Sequence, residues 1–206
     1  MTLEGPRRGS REALLVAGLE LIAASGFDGV TVGDIEERAG FVPRGGSLYK
    51  YFASKHDLLV EGVRLHVDSL AELDGLDDLG SLPDRRSELI VLGRWILRRL
   101  SAEETVSRII EKEGHRLPEI VAKMRDGVSE AGYQGMAHYL RQSGVDERAD
   151  PEGLAVLLLG SLVNLRRSTW TFGRPPSGLN DQRAVQLWAV LVEAAIGATG
   201  ASALDA

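Results

Sequence analysis

The chain has 206 residues, 44% of them apolar, and its 30 acidic and 24 basic residues give a net charge of −6. It has no cysteine, which excludes disulfides, thiol nucleophiles and cysteine-ligated metal sites. The longest apolar run, residues 154–165, is well short of the roughly 20 residues that span a bilayer. We therefore expect a cytoplasmic protein without a membrane partner, whose overall charge argues against nucleic acid.

Apolar residues at helical spacing predict four helices before residue 70 and no strand, because no segment alternates with a period of two. The second helix is short, since it lies between an N-cap at Thr31 and a stop at Gly40. In the third, Leu48 and Phe52 are i, i+4 partners that we expect to be buried. The four helices cover about residues 10–25, 31–39, 48–52 and 54–70.

Five longer helical patterns follow an acidic connection at residues 74–84 that is punctuated by glycine and proline. The predicted fold class is therefore all-α, with about nine helices in total. The five patterns cover about residues 84–100, 102–113, 118–143, 151–172 and 181–199.

A helix, a glycine-bearing turn and a short helix are typical of a helix-turn-helix, whose second helix enters the major groove of DNA. The charge of this segment favours the same interpretation. Residues 38–56 contain four Lys or Arg and no Asp or Glu, whereas residues 61–206 contain 17 basic and 22 acidic residues. A local positive charge in an acidic chain indicates contact with phosphates, and a solvated basic surface is the alternative.

Three motifs in this region resemble the DNA-binding domain of the tetracycline-repressor (TetR) family of bacterial transcription regulators. The resemblance covers about residues 7–63. The motifs are R-x-x-L-L-x-A-G-x-x-L-I-x-x-x-G-F from Arg11, T-V-x-D-I-x-x-x-A-G from Thr31, and G-S-L-Y-K-Y-F-x-S-K-x-x-L-L from Gly46. Family members usually have five residues between the Ala-Gly that closes the second helix and the Leu-Tyr of the third. This chain has seven, residues 41–47.

The resemblance implies a set of DNA-contacting residues. Thr31 would donate its hydroxyl to a phosphate, and Lys55 would clamp a phosphate at the start of the fourth helix. Hydroxyls, lysines and closely approaching glycine backbones are groups that bind and orient phosphates. Whether Arg44 meets a base or a phosphate stays open, because the turn is longer than usual. The expected residues are Thr31, Arg44, Gly45, Gly46, Ser47, Tyr49, Lys50 and Lys55.

The resemblance also implies a homodimer, because symmetry-related helices read the two half-sites of an operator. The helix at 151–172 is apolar on more than one side and must be covered twice. With the last helix it is expected to form half of an intermolecular four-helix bundle, and an intramolecular core is the alternative. The expected interface residues are Leu158, Leu162, Leu165, Trp188, Leu191 and Val192.

A ligand cavity in the C-terminal part is a further implication of the resemblance. Pockets are mostly apolar with a few placed polar groups, although aromatic and methionine side chains at helical spacing are more often ordinary core. The candidate lining residues are Trp95, Met124, Tyr133, His138 and Trp170.

No catalytic constellation accompanies these features. No two of the four histidines have metal-ligand spacing, and no nucleophile-elbow or phosphate-loop motif is present. We therefore expect no enzyme, metal or cofactor, but a repressor that an unknown small-molecule inducer releases from double-stranded operator DNA. A helical interaction module without DNA binding is the alternative. The expected domains are a helix-turn-helix domain at residues 7–56 and a ligand-binding and dimerisation domain at 57–200.

Overall fold

The computed structural model describes residues 8–71 and 82–202, and every regular element in these ranges is helical, which confirms the all-α prediction. The predicted connection at 74–84 lies mostly outside the described residues. None of the described helices has the length and apolar composition needed to cross a membrane. The helices are α1 (Arg8–Ser25), α2 (Val32–Arg38), α3 (Lys55–Ala71), α4 (Arg85–Ala102), α5 (Glu104–Glu113), α6 (Pro118–Met124), α7 (Ala131–Gln142), α8 (Pro151–Phe172) and α9 (Asp181–Ser202).

The predicted third helix is a single 3-10 turn, Leu48–Lys50, which we name the 48–50 turn. Two local features limit its length. Gly46 precedes it with a positive φ of 72°, which is outside the helical region. Ser54 follows it and caps α3, because its Oγ accepts the backbone N–H of Asp57 at 3.0 Å. These two features confine any helix here to the seven residues between Gly46 and Ser54.

The predicted helix at 118–143 is continuous but not regular. Between α6 and α7 the backbone forms a π-helical segment, Arg125–Glu130. Such a segment closes i→i+5 rather than i→i+4 hydrogen bonds, so periodicity in the sequence does not distinguish it from an α-helix.

The chain forms two compact units, and the predicted domain boundary after residue 56 falls inside α3. The first unit joins Met1–Glu72 to Glu103–Arg125, and the second joins Leu73–Ala102 to Asp126–Ala206. Helices α5 and α6 therefore pack with the N-terminal helices, although 53 residues or more separate them from the 48–50 turn in sequence.

The first unit is built around α1, which packs against α2, α3 and α5. The helices α1 and α3 approach closely at two glycines. A Cβ added to Gly18 would lie 2.5 Å from Cδ2 of Leu58, and one added to Gly62 would lie 3.1 Å from Cδ2 of Leu19. The fully buried side chains of this unit include Leu14, Ile22, Ile35, Leu48, Leu58, Leu59 and Val63.

The second unit has its own core between α4, α7, α8 and α9. Trp188 of α9 is 1% exposed, and its indole N–H donates to the carbonyl of Leu158 on α8 at 3.0 Å. Arg86 on α4 forms an ion pair of 2.7 Å with Glu193 on α9. The first contact joins α9 to α8 and the second joins α9 to α4, while α7 packs against α8.

Candidate nucleic-acid interface

The helix α2 begins at a reciprocal cap. Thr31 Oγ1 accepts the N–H of Asp34 at 3.2 Å, and the Asp34 carboxylate accepts the N–H of Thr31 at 2.7 Å. The hydrogen bond from the Thr31 backbone is the main reason that the pKa of Asp34 lies below its usual value. In this cap Thr31 Oγ1 is the acceptor, and its side chain is exposed, so the hydroxyl proton remains for another acceptor.

The turn between α2 and the 48–50 turn requires its glycines for backbone reasons. Gly45 donates its N–H to the carbonyl of Val42 at 3.1 Å, and a Cβ on Gly45 would lie 2.8 Å from that oxygen. Gly46 and Arg44 both have positive φ, 72° and 60°. The side chain of Arg44 passes the start of α2, where a Cβ on Gly33 would lie 3.3 Å from its Cγ. Arg44 is thereby held close to the α2 cap.

The 48–50 turn has a buried side and an exposed side, as predicted. Leu48 is fully buried and Phe52 is 4% exposed, so both belong to the core of the unit. Tyr49 is 60% exposed, and Lys50 is also exposed. The core therefore anchors a turn that presents a phenol and an ammonium group to solvent.

Two of the four cations in residues 38–56 are used within the chain. Arg38 pairs with Glu20 of α1 at 2.9 Å. Lys55 donates its ammonium to the carbonyls of Phe27 and Val30, at 2.6 and 2.5 Å.

The ammonium of Lys55 also lies 4.1 Å from the centre of the Phe27 ring. Lys55 thus joins the loop between α1 and α2 to α3. One of its three ammonium N–H groups remains for a phosphate. Arg44 and Lys50, in contrast, form no ion pair with any part of the chain that the structure describes. The cationic surface available to DNA is therefore smaller than the sequence count of four.

The same loop is held from the other side by the end of α5 and the turn after it. Glu113 is 7% exposed and accepts the N–H of Phe27 at 2.8 Å. Arg116 lies 3.0 Å from Glu113, pairs with Asp28 at 2.6 Å, and has its guanidinium 5.0 Å from the centre of the Phe27 ring. The Phe27 ring thus contacts two cations, Lys55 and Arg116.

Lys112 completes this arrangement at the end of α1. Its ammonium donates to the carbonyls of Ala23 and Ala24, at 2.7 and 2.8 Å. A cation at a helix C-terminus satisfies free carbonyls and complements the helix dipole. Sequence reasoning missed these contacts, because nothing in a helical pattern at residues 102–113 indicates which earlier loop it will contact.

The predicted dimer residues lie mostly inside the second unit. Leu158, Leu162 and Leu165 of α8 are at most 8% exposed, and Trp188 and Val192 of α9 are at most 1% exposed. These five side chains form intramolecular core, and Leu191 alone of the six is exposed, at 54%. The large apolar side chains that the two helices expose are Val156, Leu157, Phe172, Leu187, Val190 and Leu191.

The predicted ligand-lining residues are dispersed. Met124 ends α6 in the first unit, while Trp95, Tyr133 and Trp170 are half-buried and His138 is exposed in the second. A cavity of about 270 Å³ lies elsewhere in the second unit, between α4 and the start of α9. It is lined by Arg94, Leu97, Arg98, Asp181 and Gln182, none of which was predicted.

Comparison with known proteins places the 48–50 turn inside a family domain. Residues 14–61 match the family model described as bacterial regulatory proteins, tetR family. A search of curated protein sequences finds no match. A TetR-like transcriptional regulator from Rhodococcus sp. RHA1 has a similar structure, at 17% identity and a TM-score of 0.66, covering 94% of this chain and 99% of that chain.

Two further solved structures share the fold. The fatty acid degradation regulator FadR from Bacillus halodurans is 16% identical, with a TM-score of 0.60, covering 93% of this chain and 96% of that chain. The flavonoid-responsive regulator FrrA is 21% identical, with a TM-score of 0.59, covering 92% and 96%. At these identities the likeness to solved structures establishes the fold.

We expect Lys55 and Lys50 to respond differently to the same substitution. Lys55→Met should lower the free energy of unfolding by about 1–3 kcal/mol, because two partly buried carbonyls lose a charged donor. Lys50→Met should leave it within about 0.5 kcal/mol, since Lys50 is exposed. Urea denaturation followed by circular dichroism measures both values. Equal stability of the two variants would contradict the structural role of Lys55.

Proposed function

We propose that this chain, which belongs to the TetR family of bacterial transcriptional regulators, is a repressor that binds operator DNA as a homodimer and leaves it when a small molecule binds. It acts in the cytoplasm, where bacterial operators are located. The observation that carries the proposal is the 48–50 turn, which exposes Tyr49 and Lys50 while Leu48 and Phe52 anchor it in the core.

The chemistry of the exposed residues supports DNA contact. Arg44 and Lys50 supply positive charge for phosphates or for the acceptor-rich edge of guanine. Thr31 and Ser47 supply hydroxyl donors, and Tyr49 supplies a phenol on a residue with 60% of its surface exposed. Since no Asp or Glu occurs in residues 38–56, the segment itself does not repel the DNA backbone.

Tyr49 and Lys50 are the residues with which to test DNA binding. A duplex is first selected from a random DNA library with the wild-type chain. The double variant Tyr49→Ala, Lys50→Ala should then lose about tenfold or more in affinity for that duplex, since contacts to base edges contribute roughly 1–3 kcal/mol each. Fluorescence anisotropy measures the affinity, and circular dichroism should show unchanged melting because both side chains are exposed.

Arg174→Ala is a matched control, because it removes an exposed cation outside residues 38–56. The control should bind like the wild type. If the wild-type chain enriches no sequence, DNA recognition is refuted and the interaction-module hypothesis is favoured.

The exposed apolar side chains of α8 and α9 support the homodimer. On α9, Leu187, Val190 and Leu191 follow i, i+3, i+4 spacing and are each between 47% and 54% exposed. On α8, Val156 and Leu157 are 48% and 73% exposed. Each helix has 22 residues and is about 33 Å long, enough for an extensive helix-to-helix contact.

Small residues continue both exposed faces. Gly160 follows Val156 at i+4 on α8, and Ala194 follows Leu191 at i+3 on α9. Small side chains permit close approach of helices, so the two faces suit packing against their symmetry mates in a second copy. A dimer of this kind has two 48–50 turns, as a two-fold operator requires.

Charged substitutions on this face should prevent dimerisation. Leu157→Glu and Leu191→Glu should each shift the chain from dimer to monomer, because an interface that buries them would bury unpaired carboxylates. Sedimentation equilibrium measures the mass. Val91→Glu on α4, at a position that is 38% exposed, is the control and should remain dimeric. Dimers in all three variants would refute the proposed interface.

The cavity between α4 and α9 favours an anionic ligand. Arg94 and Arg98 lie on its wall, are exposed, and form no ion pair within residues 8–71 and 82–202. The carboxylate of Asp181 already accepts hydrogen bonds of 2.8 and 2.7 Å from Arg166, which lowers the pKa of Asp181. Two arginines therefore remain for a ligand carboxylate or phosphate, and Leu97 gives an apolar contact.

Octanoate and its neutral counterpart octanamide test this ligand class. Octanoate should bind and octanamide should not, as measured by isothermal titration calorimetry. The double variant Arg94→Gln, Arg98→Gln should lose octanoate binding, whereas Arg183→Gln, an exposed arginine outside the cavity, should keep it. Equal binding of the two compounds, or octanoate binding by the double variant, would rule out the anion site.

Regulation adds a thermodynamic requirement to the same experiment. If octanoate weakens DNA binding by a given factor, the DNA must weaken octanoate binding by that factor. Titrations in both orders measure the two factors.

A further inference from the structure

The 48–50 turn receives its N-terminal cap from another helix. Its own N-cap residue, Ser47, makes no side-chain capping hydrogen bond. Instead, the N–H of Leu48 donates to Oε1 of Glu36 at 3.0 Å. Glu36 lies on α2 and is 0% exposed.

We propose that Glu36 is a positioning residue that fixes the 48–50 turn for DNA recognition and leaves the Ser47 hydroxyl available to DNA. The proposal rests on the proposed DNA-binding function. Glu36 itself is buried and does not meet DNA.

Glu36 holds both ends of the turn at residues 41–47. At the start, its backbone carbonyl accepts the N–H of Phe41 at 2.8 Å. At the end, its side chain accepts the N–H of Leu48. Between these points, Gly45 donates to Val42 in a local turn. One residue therefore sets the distance between the end of α2 and the start of the 48–50 turn.

The extra length of this turn explains why a long acidic side chain is useful at residue 36. The turn contains Gly45 and Gly46, the two residues with least steric restriction, so the backbone alone does not fix its path. The hydrogen bond from the Leu48 N–H to the Glu36 carboxylate restricts the conformational freedom of this turn.

The energetics favour a positioning role over a stabilising one. Burial of a carboxyl group is unfavourable unless hydrogen bonds satisfy both oxygens. Glu36 Oε2 is buried and has no hydrogen-bond partner among the described residues. An apolar side chain of the same length would avoid that penalty, so stability alone does not account for a glutamate here.

The test compares two variants of equal side-chain length. Glu36→Gln keeps an oxygen acceptor for the Leu48 N–H, and Glu36→Met removes it while filling the space. Against the duplex selected by the wild type, Glu36→Met should lose about tenfold or more in affinity, and Glu36→Gln should stay within about threefold. Binding to an unrelated duplex at low salt should be the same for all three, since phosphate contacts dominate there.

A loss of specific affinity in Glu36→Met, with non-specific binding and melting temperature retained, supports the proposal. A purely structural role would instead lower melting temperature and both affinities together, which overturns it. Equal specific affinity of Glu36→Met and wild type also overturns it. Ser47→Ala should weaken specific binding about fivefold. No change in Ser47→Ala refutes the part of the proposal that concerns Ser47.

Amide hydrogen exchange measures the protection of the Leu48 N–H without DNA. A failure of the Glu36 proposal can therefore be distinguished from a failure of the proposed DNA-binding function. In the wild type, the Leu48 amide should exchange much more slowly than the amide of the exposed Tyr49. In Glu36→Met the Leu48 amide should lose this protection, and in Glu36→Gln and Ser47→Ala it should keep it. An unprotected Leu48 amide in the wild type overturns the proposal even if the variants fail to fold.

Discussion

Short helical elements leave most of their backbone donors and acceptors unpaired, and the first unit depends on side chains that pair them. An α-helix has four free N–H groups at its start and four free carbonyls at its end, so a seven-residue helix such as α2 has few internal hydrogen bonds. Glu36 and Glu113 each accept a backbone N–H, and Lys55 and Lys112 each donate to two carbonyls. These four residues hold the segments around the proposed DNA-contacting surface.

This use of charge changes how the basic segment is understood. A sequence count treats every lysine and arginine in residues 38–56 as available to phosphate. In the folded unit, Lys55 donates a hydrogen bond to the carbonyl of Phe27, and Arg38 forms an ion pair with Glu20. The remaining cations, Arg44 and Lys50, lie before and within the 48–50 turn. Internal pairing therefore leaves the available charge at the surface that we propose contacts DNA.

The sequence predicted the helices and the anchoring of the 48–50 turn well, because periodicity reports directly on burial. Leu48 and Phe52 are i, i+4 partners, and both are buried. The sequence is less informative where an element is apolar on two sides, as in α8. The pattern indicates that both sides of α8 are covered, but it does not indicate which side packs against helices of its own chain. In the structure, Leu158 and Leu162 lie on that side, in the intramolecular core. The roles of Glu36 and Lys55 depend on backbone partners 12 or more residues away, which no local pattern indicates.

The glycine contacts between α1 and α3 have a mechanical consequence. At Gly18 and Gly62 the opposing leucine side chains lie directly against the helix backbone. At these two points only one of the two helices contributes a side chain to the contact. Packed interiors are nearly incompressible, and motion along such a contact is a small sliding rather than a separation. A displacement of α3 along α1 is therefore easier than a separation of the two helices. The loop before α2 is tied to α3 more directly, because Lys55 donates to the carbonyls of Phe27 and Val30, so a displacement of α3 along α1 also displaces this loop.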